Sequence, residues 1–112
     1  MSIIDPALDD KYPSGISKKW VQGELRERLG YNGVVVTDAI EAGGLNNFGS
    51  DPGKRGVLAM SAGQDLILAA ARQVSQGQAI VSALVAAIED GTMTDDFFSA
   101  STQRIQKLRS TL

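Results

Sequence analysis

A short run of β-branched residues that ends on a carboxylate constrains the fold of this chain more than any other feature. The segment 33–38 reads Gly, three valines and a threonine, and it stops at Asp38. Such a run is typical of a parallel strand buried on both faces by helices. The carboxyl ends of parallel strands are where βα loops converge and ligands bind. The pattern makes Asp38 a candidate functional residue, with capping of the following turn as the alternative role.

The rest of the sequence alternates helical patterns with a second apolar strand. Apolar residues at helical spacing, flanked by capping residues and glycines, predict the helices. The predicted elements are a loop over 1–16, helices over 17–30, 52–62, 75–91 and 94–112, and strands over 33–38 and 65–69. Strand, helix and strand in succession predict a βαβ unit, and therefore an α/β fold with parallel strands.

The predicted helix starts depend on local capping signals. Ser17, Asp51 and Thr94 each precede a helical pattern and are residue types that favour the N-cap position. Pro52 follows Asp51, as expected of a first helical residue. The segment 75–78 matches a capping box.

Composition excludes several kinds of site. Eleven basic and thirteen acidic residues give a net charge of −2. The basic residues are scattered, so we predict neither a nucleic-acid nor a membrane partner. The chain has no cysteine and no histidine, which removes thiolate ligands and the commonest general base. We therefore predict no metal site and no cofactor, and chemistry that depends on carboxylates, hydroxyls or lysines.

Neither a leader peptide nor a membrane-spanning segment is predicted, so no cellular location is predicted either. Two apolar strands alone leave long sheet edges exposed. The chain is therefore expected either to be part of a larger βα repeat or to form a homo-oligomer through its strand edges.

Five segments, in order, resemble glycoside hydrolase family 3. They are DPALD at 5–9, PSGIS at 13–17, LRERLGYNGVVVTD at 25–38, AGQDLIL at 62–68 and RIQKLR at 104–109. The resemblance is to the carboxyl-terminal part of that family's (β/α)8 barrel domain. It implies a partial barrel made of the last two βα units and a terminal helix, with 33–38 as the seventh strand and 65–69 as the eighth.

The resemblance implies a retaining β-glycosidase, with a carbohydrate substrate and with Asp38 as the nucleophile. The subclass stays open between glucosidase-like members, whose acid/base is a glutamate on a second domain, and hexosaminidase-like members. The residues 39–42 favour the hexosaminidase-like and related bacterial branch. In that branch the acid/base is a His-Asp pair, and this chain contains no histidine. Glu41 is a candidate substitute for the acid/base, with an exposed loop glutamate as the alternative interpretation. No substrate-binding residue is predicted. The isolated chain is expected to be inactive because it holds only the nucleophile.

Two further functions stay open at this stage. One is a catalytically silent, self-associating α/β module, and the other is a phosphoacceptor domain, in which an aspartate also ends a parallel strand. Among single residues, Trp20 is interpreted as a core residue rather than a platform for a sugar ring. Asp65, the first residue of the predicted strand 65–69, is interpreted as a turn or capping group.

Overall fold

The structure, a computed structural model, describes residues 4–112. Within this range two parallel strands form one sheet, and helices lie beside it. The strands are β1 (Val36–Ala39) and β2 (Leu66–Leu68), and the α-helices are α1 (Pro52–Ala62), α2 (Val74–Glu89) and α3 (Asp95–Arg109). A π-helix spans Lys19–Arg28, and 3-10 helices span Ser14–Ile16 and Gly43–Phe48. The predicted α/β class with parallel strands is confirmed.

Local capping explains where the helices start and end. Asp51 accepts a hydrogen bond of 3.1 Å from the Gly53 amide, and Thr94 accepts one of 3.2 Å from the Phe97 amide. Gly63 ends α1 in the left-handed region, with φ +116°. The predicted caps at Asp51 and Thr94, and the predicted bounds of 52–62, are confirmed.

The first helix differs from its prediction. The expected α-helix over 17–30 is a π-helix over Lys19–Arg28, in which the Leu29 amide donates to the Glu24 carbonyl, five residues back, at 2.9 Å. Ser17 still caps its start, because the hydroxyl accepts a hydrogen bond of 3.2 Å from the Trp20 amide. The same hydroxyl donates to the buried Asp9 carboxylate at 2.6 Å.

The predicted strand over 33–38 begins too early. Sheet pairing starts at Val36 because side chains occupy the preceding carbonyls. Arg26 Nη1 donates to the Gly33 carbonyl at 2.9 Å, and the Tyr31 hydroxyl donates to the Val34 carbonyl at 3.0 Å. The bulge described below carries the pairing on to Ala39.

Three other elements also differ in their bounds. β2 spans 66–68 rather than 65–69, α2 spans 74–89 rather than 75–91, and α3 spans 95–109 rather than 94–112. The predicted capping box over 75–78 is wrong, since α2 starts at Val74 and places Ser75 inside the helix. The Gln76 side chain instead accepts a hydrogen bond from the Ala71 amide. In the predicted loop 1–16, residues 14–16 form a 3-10 turn, and residues 1–3 lie outside the described residues.

The core lies between the sheet and the helices. One hydrophobic cluster of the core comprises the buried residues Ile16, Ile40, Leu45, Ala59 and Ile80. Ile67 of β2 packs against this cluster. α1 and α2 approach closely because glycine faces the contact: a Cβ on Gly53 would lie 2.8 Å from the Ala83 Cβ. The expected burial of the strands on both faces is wrong for residues 4–112, since Leu66 and Leu68 of β2 are exposed. Alternation along the strand puts Ile67 on the helix side and these two leucines on the other.

Asp65 anchors the amino ends of both strands. Its fully buried carboxylate lies 2.6 Å from Arg26 Nη2 and 2.8 Å from Arg104 Nη2. The Ser101 hydroxyl donates to it at 2.7 Å and the Val35 amide at 3.0 Å. We call these five residues the Asp65 cluster. The predicted role as a turn or capping group is wrong, because the carboxylate ties the π-helix, β1 and α3 together.

The Asp65 carboxylate is held in its ionised form. Burial raises the pKa of a carboxyl group, but hydrogen bonds from Arg104, Ser101 and the Val35 amide, with the charge of Arg26, lower it further than burial raises it. The net pKa of Asp65 lies below its usual value. The cluster is therefore an ionic contact at neutral pH.

Candidate functional site

Asp38 lies at the carboxyl end of β1, as the sequence predicts, and its side chain is exposed. Its Oδ1 accepts a hydrogen bond of 2.8 Å from the amide of Ala39, the next residue. The carboxylate borders a mostly apolar cleft of ≈ 430 Å³ between β1 and the π-helix. Trp20 and Gln64 also line this cleft. An exposed, oriented carboxylate beside a cleft has the geometry of a nucleophile or a general base.

A β-bulge surrounds Asp38. Val36 pairs with Leu66 and Ala39 pairs with Leu68, so the register shifts between them. The Leu68 amide donates to Thr37 Oγ1 at 2.9 Å, and the Leu68 carbonyl accepts from the Ile40 amide at 2.9 Å. Bulges of this kind occur beside active sites, where they redirect a side chain.

Arg55 of α1 fixes the loop that follows Asp38. Its guanidinium is buried, and it donates to the carbonyls of Ile40 at 3.0 Å, Ala42 at 3.4 Å and Gly49 at 2.7 Å. A fourth hydrogen bond, of 3.2 Å, goes to the Asn46 side chain. The loop after β1 is therefore wrapped around one cation. Sequence reasoning missed this residue, because its partners are recognisable only in the folded chain.

Glu41, the second candidate carboxylate, lies in a different environment. It lines a cleft of mixed polar and apolar character between the first turns of α1 and α2, whereas Asp38 lines the mostly apolar cleft. Its Oε2 accepts hydrogen bonds from Gln76 Nε2 at 3.0 Å and from the Ala70 amide at 3.3 Å. The hydrogen bond from Gln76, followed by the Ala70 amide and the charge of Arg55, lowers the pKa of Glu41 below its usual value. This environment favours a carboxylate over a proton donor.

Trp20 and Gln64, which line the cleft, each carry a buried polar atom. Trp20 is half-buried, and its indole Nε1 has no hydrogen-bond partner among the described residues. Gln64 Nε2 donates to the Gly15 carbonyl at 2.7 Å, while its Oε1 has no partner within residues 4–112. The prediction that Trp20 is a core residue is therefore only partly right, because the side chain is half-buried. The sequence analysis did not predict that Gln64 would line this cleft.

The described part of the chain shows no group of three His, Cys, Asp or Glu side chains that could hold a metal ion. None of its helices has both the length and the apolar character needed to cross a bilayer.

Comparison with known proteins gives a consistent match. The family model described as "Glycosyl hydrolase family 3 N terminal domain" matches residues 1–108. An "uncharacterized secreted glycosyl hydrolase" of the fungus Arthroderma benhamiae is 56% identical over 109 residues, which are 97% of this chain and 31% of that protein. A β-hexosaminidase of Methylobacillus flagellatus is 41% identical over 66 residues, covering 59% of this chain and 18% of the relative.

Solved structures agree with the sequence match. A family 3 β-N-acetylglucosaminidase from Paenibacillus superposes with a TM-score of 0.86 and 35% identity, over 94% of this chain and 20% of that one. The chain therefore spans about a third or less of the proteins it resembles. These relatives come from a fungus and from bacteria, so the bacterial origin stays a prediction.

Proposed function

The chain belongs to glycosyl hydrolase family 3, and from this premise we propose that Asp38 is the nucleophile of a retaining β-glycosidase. The observation that supports this role is the position of its carboxylate. It is exposed at the carboxyl end of β1, it accepts a hydrogen bond from the Ala39 amide, and it borders a cleft. A rigid strand end holds a nucleophile more precisely than a loop does.

In the proposed reaction, a carboxylate oxygen of Asp38 attacks the anomeric carbon of the sugar. A glycosyl ester forms, the glycosidic C–O bond breaks, and the leaving oxygen takes a proton from an acid. Water, deprotonated by the conjugate base of that acid, then attacks the same carbon and releases the sugar and the Asp38 carboxylate. Two inversions give net retention of configuration.

We propose that β1 and β2 are neighbouring strands of a (β/α)8 barrel, of which this chain supplies the last two βα units and a terminal helix. The exposed sheet face supports this architecture. Val36 and Leu68 are each 48% exposed, although the opposite face is packed against helices. In a barrel this face points inward, where branched side chains fill the interior. The carboxyl end of β1, with Asp38, is then the catalytic face.

We propose a terminal β-linked N-acetylhexosamine as the substrate. The curated bacterial relatives are named β-hexosaminidases, and solved neighbours are named β-N-acetylglucosaminidases. The chain covers a minor part of each of them, so the specificity is to be measured on the full-length protein that carries this sequence.

Labelling with a 5-fluoro glycosyl fluoride of N-acetylglucosamine tests the nucleophile. Fluoride leaves without a proton, so the label reports the nucleophile alone. Mass spectrometry of the full-length protein is expected to find one sugar on the peptide that contains Asp38. Asp38→Asn should abolish labelling, while Glu41→Gln, the matched carboxylate of the following loop, should retain it. A label on any other carboxylate overturns the assignment.

The assignment of the acid/base to Glu41 stays a prediction, and the low pKa of Glu41 favours another donor. We propose that the proton comes from a residue outside these 112. If Glu41 were the acid, Glu41→Gln would slow hydrolysis of a substrate with a poor leaving group far more than one with an activated leaving group. Equal rates for wild type and variant on both substrates would exclude Glu41.

Self-association is a second candidate function, because the same exposed face favours it. Val36, Leu66 and Leu68 present apolar surface, and the outer edge of β1 has no paired strand among the described residues. Two copies can cover these surfaces by pairing edges. Size-exclusion chromatography with light scattering of the 112-residue chain tests this. A stable monomer that unfolds cooperatively contradicts it.

A further inference from the structure

We infer that Thr37 is a positioning residue for Asp38: its hydroxyl holds the β-bulge that orients the carboxylate. This inference rests on the proposed role of Asp38. It concerns how the fold orients that side chain, and it assigns a function to a residue whose own side chain is buried.

The hydrogen bonds between the strands show where Thr37 enters the pattern. In a parallel pair, alternate residues of one strand bond to the neighbouring strand. The Val35 carbonyl follows this pattern and accepts from the Leu66 amide at 3.1 Å. Continued regularly, this pattern would bond the Ala39 amide to the Leu68 carbonyl. In the structure the Leu68 carbonyl accepts from the Ile40 amide at 2.9 Å, and the Leu68 amide donates to the Thr37 hydroxyl at 2.9 Å.

The bulge changes the partner of the Ala39 amide. Since Ile40 donates to the Leu68 carbonyl, Ala39 is one residue out of step with the ladder. Its amide donates instead to Asp38 Oδ1, at 2.8 Å. The carboxylate therefore has a fixed backbone donor, which a regular strand would direct to the neighbouring strand. This hydrogen bond restricts the side-chain rotation of Asp38.

Two neighbours hold the bulge from either side. Thr37 is 7% exposed, and β-branching restricts its χ1 angle, so the hydroxyl is held towards the Leu68 amide. Beyond the bulge, the Ile40 amide donates to the Leu68 carbonyl. The Ile40 carbonyl in turn accepts a hydrogen bond of 3.0 Å from Arg55 Nη1. Only residues 38 and 39 lie between these anchors. Loss of the Thr37 hydroxyl removes this hydrogen bond from the Leu68 amide and releases one side of the bulge.

Substitutions at Thr37 separate the hydroxyl from the shape of the side chain. Thr37→Val keeps the branched shape and removes the acceptor, whereas Thr37→Ser keeps the acceptor. Thr37→Ala removes the acceptor without adding bulk, and it replaces Thr37→Val if that variant does not fold. Thr102→Val is the matched control, because the Thr102 hydroxyl bonds the Ser99 carbonyl at 2.9 Å within α3, away from β1.

The experiment measures the rate at which the 5-fluoro glycosyl fluoride labels Asp38 in the full-length protein, together with competitive inhibition by N-acetylglucosamine. A misplaced nucleophile costs about 100-fold in rate, and this loss is expected for Thr37→Val. Its inhibition constant should match wild type, since the Thr37 hydroxyl is buried and bonded to the Leu68 amide. Thr37→Ser and Thr102→Val should label like wild type. Hydrogen exchange should be faster at the Leu68 amide in Thr37→Val alone.

Each other outcome has a definite meaning. If Asp38 is labelled in wild type and equally fast in Thr37→Val, the positioning role is overturned and the proposed nucleophile stands. If Thr37→Ser or Thr102→Val is slowed as much as Thr37→Val, the effect is general destabilisation and the inference is again overturned. If wild type carries no label on Asp38, the proposed function itself fails, and the positioning role with it.

Discussion

The buried side chain of Asp65 connects several elements of the fold. Its carboxylate has no exposed surface and receives donors from the π-helix, from β1 and from α3. Burial of a charge is costly, so such a group is stable only when its partners are all present. The Asp65 cluster is therefore sensitive to loss of a single member.

We expect Asp65→Asn to lower the free energy of unfolding by about 3–5 kcal/mol, because it leaves Arg26 as a buried charge without its partner. Urea denaturation of the 112-residue chain followed by circular dichroism measures this. Asp10→Asn, at an exposed carboxylate, is the control and should change stability by less than about 0.5 kcal/mol. Equal effects of the two substitutions would contradict the role of the cluster.

The low pKa of Asp65 predicts a dependence of stability on pH. Its folded-state pKa lies below the unfolded value of about 3.9. The carboxylate therefore adds its full stability above that value, and this contribution is lost as the pH falls through the folded-state pKa. Urea midpoints measured from pH 7 down to pH 2 should fall steeply below about pH 4. The fall should be shallower in Asp65→Asn, and a parallel fall in both proteins would disprove this account.

At the scale of elements, the end of α1 depends on a backbone conformation that favours glycine. Gly63 has φ +116°, and a Cβ there would lie 3.1 Å from the Val21 side chain. We expect Gly63→Ala to destabilise the fold by about 1–3 kcal/mol, measured by urea denaturation. Gly77→Ala in α2 is the matched control. A Cβ at Gly77 meets no atom within 4 Å, so this variant should be more stable by about 0.4–1 kcal/mol.

The sequence predicted those elements whose signals are local. Asp51 and Thr94 cap helices through amides two and three residues ahead, and such contacts can be inferred from residue type alone. The position of Asp38 near the carboxyl end of β1 was predicted for the same reason, although the strand ends one residue later, at Ala39. The start of β1 was not, because Arg26 and Tyr31 occupy the carbonyls that a strand would use.

The rest of the candidate site depends on contacts between distant residues. Thr37 bonds the amide of Leu68, and Gln64 bonds the carbonyl of Gly15. Both residues lie in segments that resemble the family, but these contacts arise only once β1, β2 and the first loop are in place. The π-helix could not be predicted from the sequence either, because the spacing of its apolar residues also suits an α-helix.

For the whole molecule, the exposed sheet face distinguishes a barrel segment from an independent module. Leu68→Lys should leave the stability of the 112-residue chain nearly unchanged, since Leu68 is 48% exposed there. In the full-length protein the same charge would enter the proposed barrel interior, and we expect a loss of at least about 2 kcal/mol. Val74→Lys, at a residue that is 80% exposed, is the control for both. Thermal unfolding measures both effects, and a neutral Leu68→Lys in the full-length protein would argue against the barrel.

Arg55 links the conformation of the loop after β1 to the docking of α1. The loop after β1 has its carbonyls bonded to a guanidinium from α1, so it can adopt its native path only after that helix has docked. Loop and helix then open and close as one cooperative unit. We therefore expect the amides of this loop to exchange hydrogen at the rate set by the opening of α1, and not at the faster rate of an unattached loop.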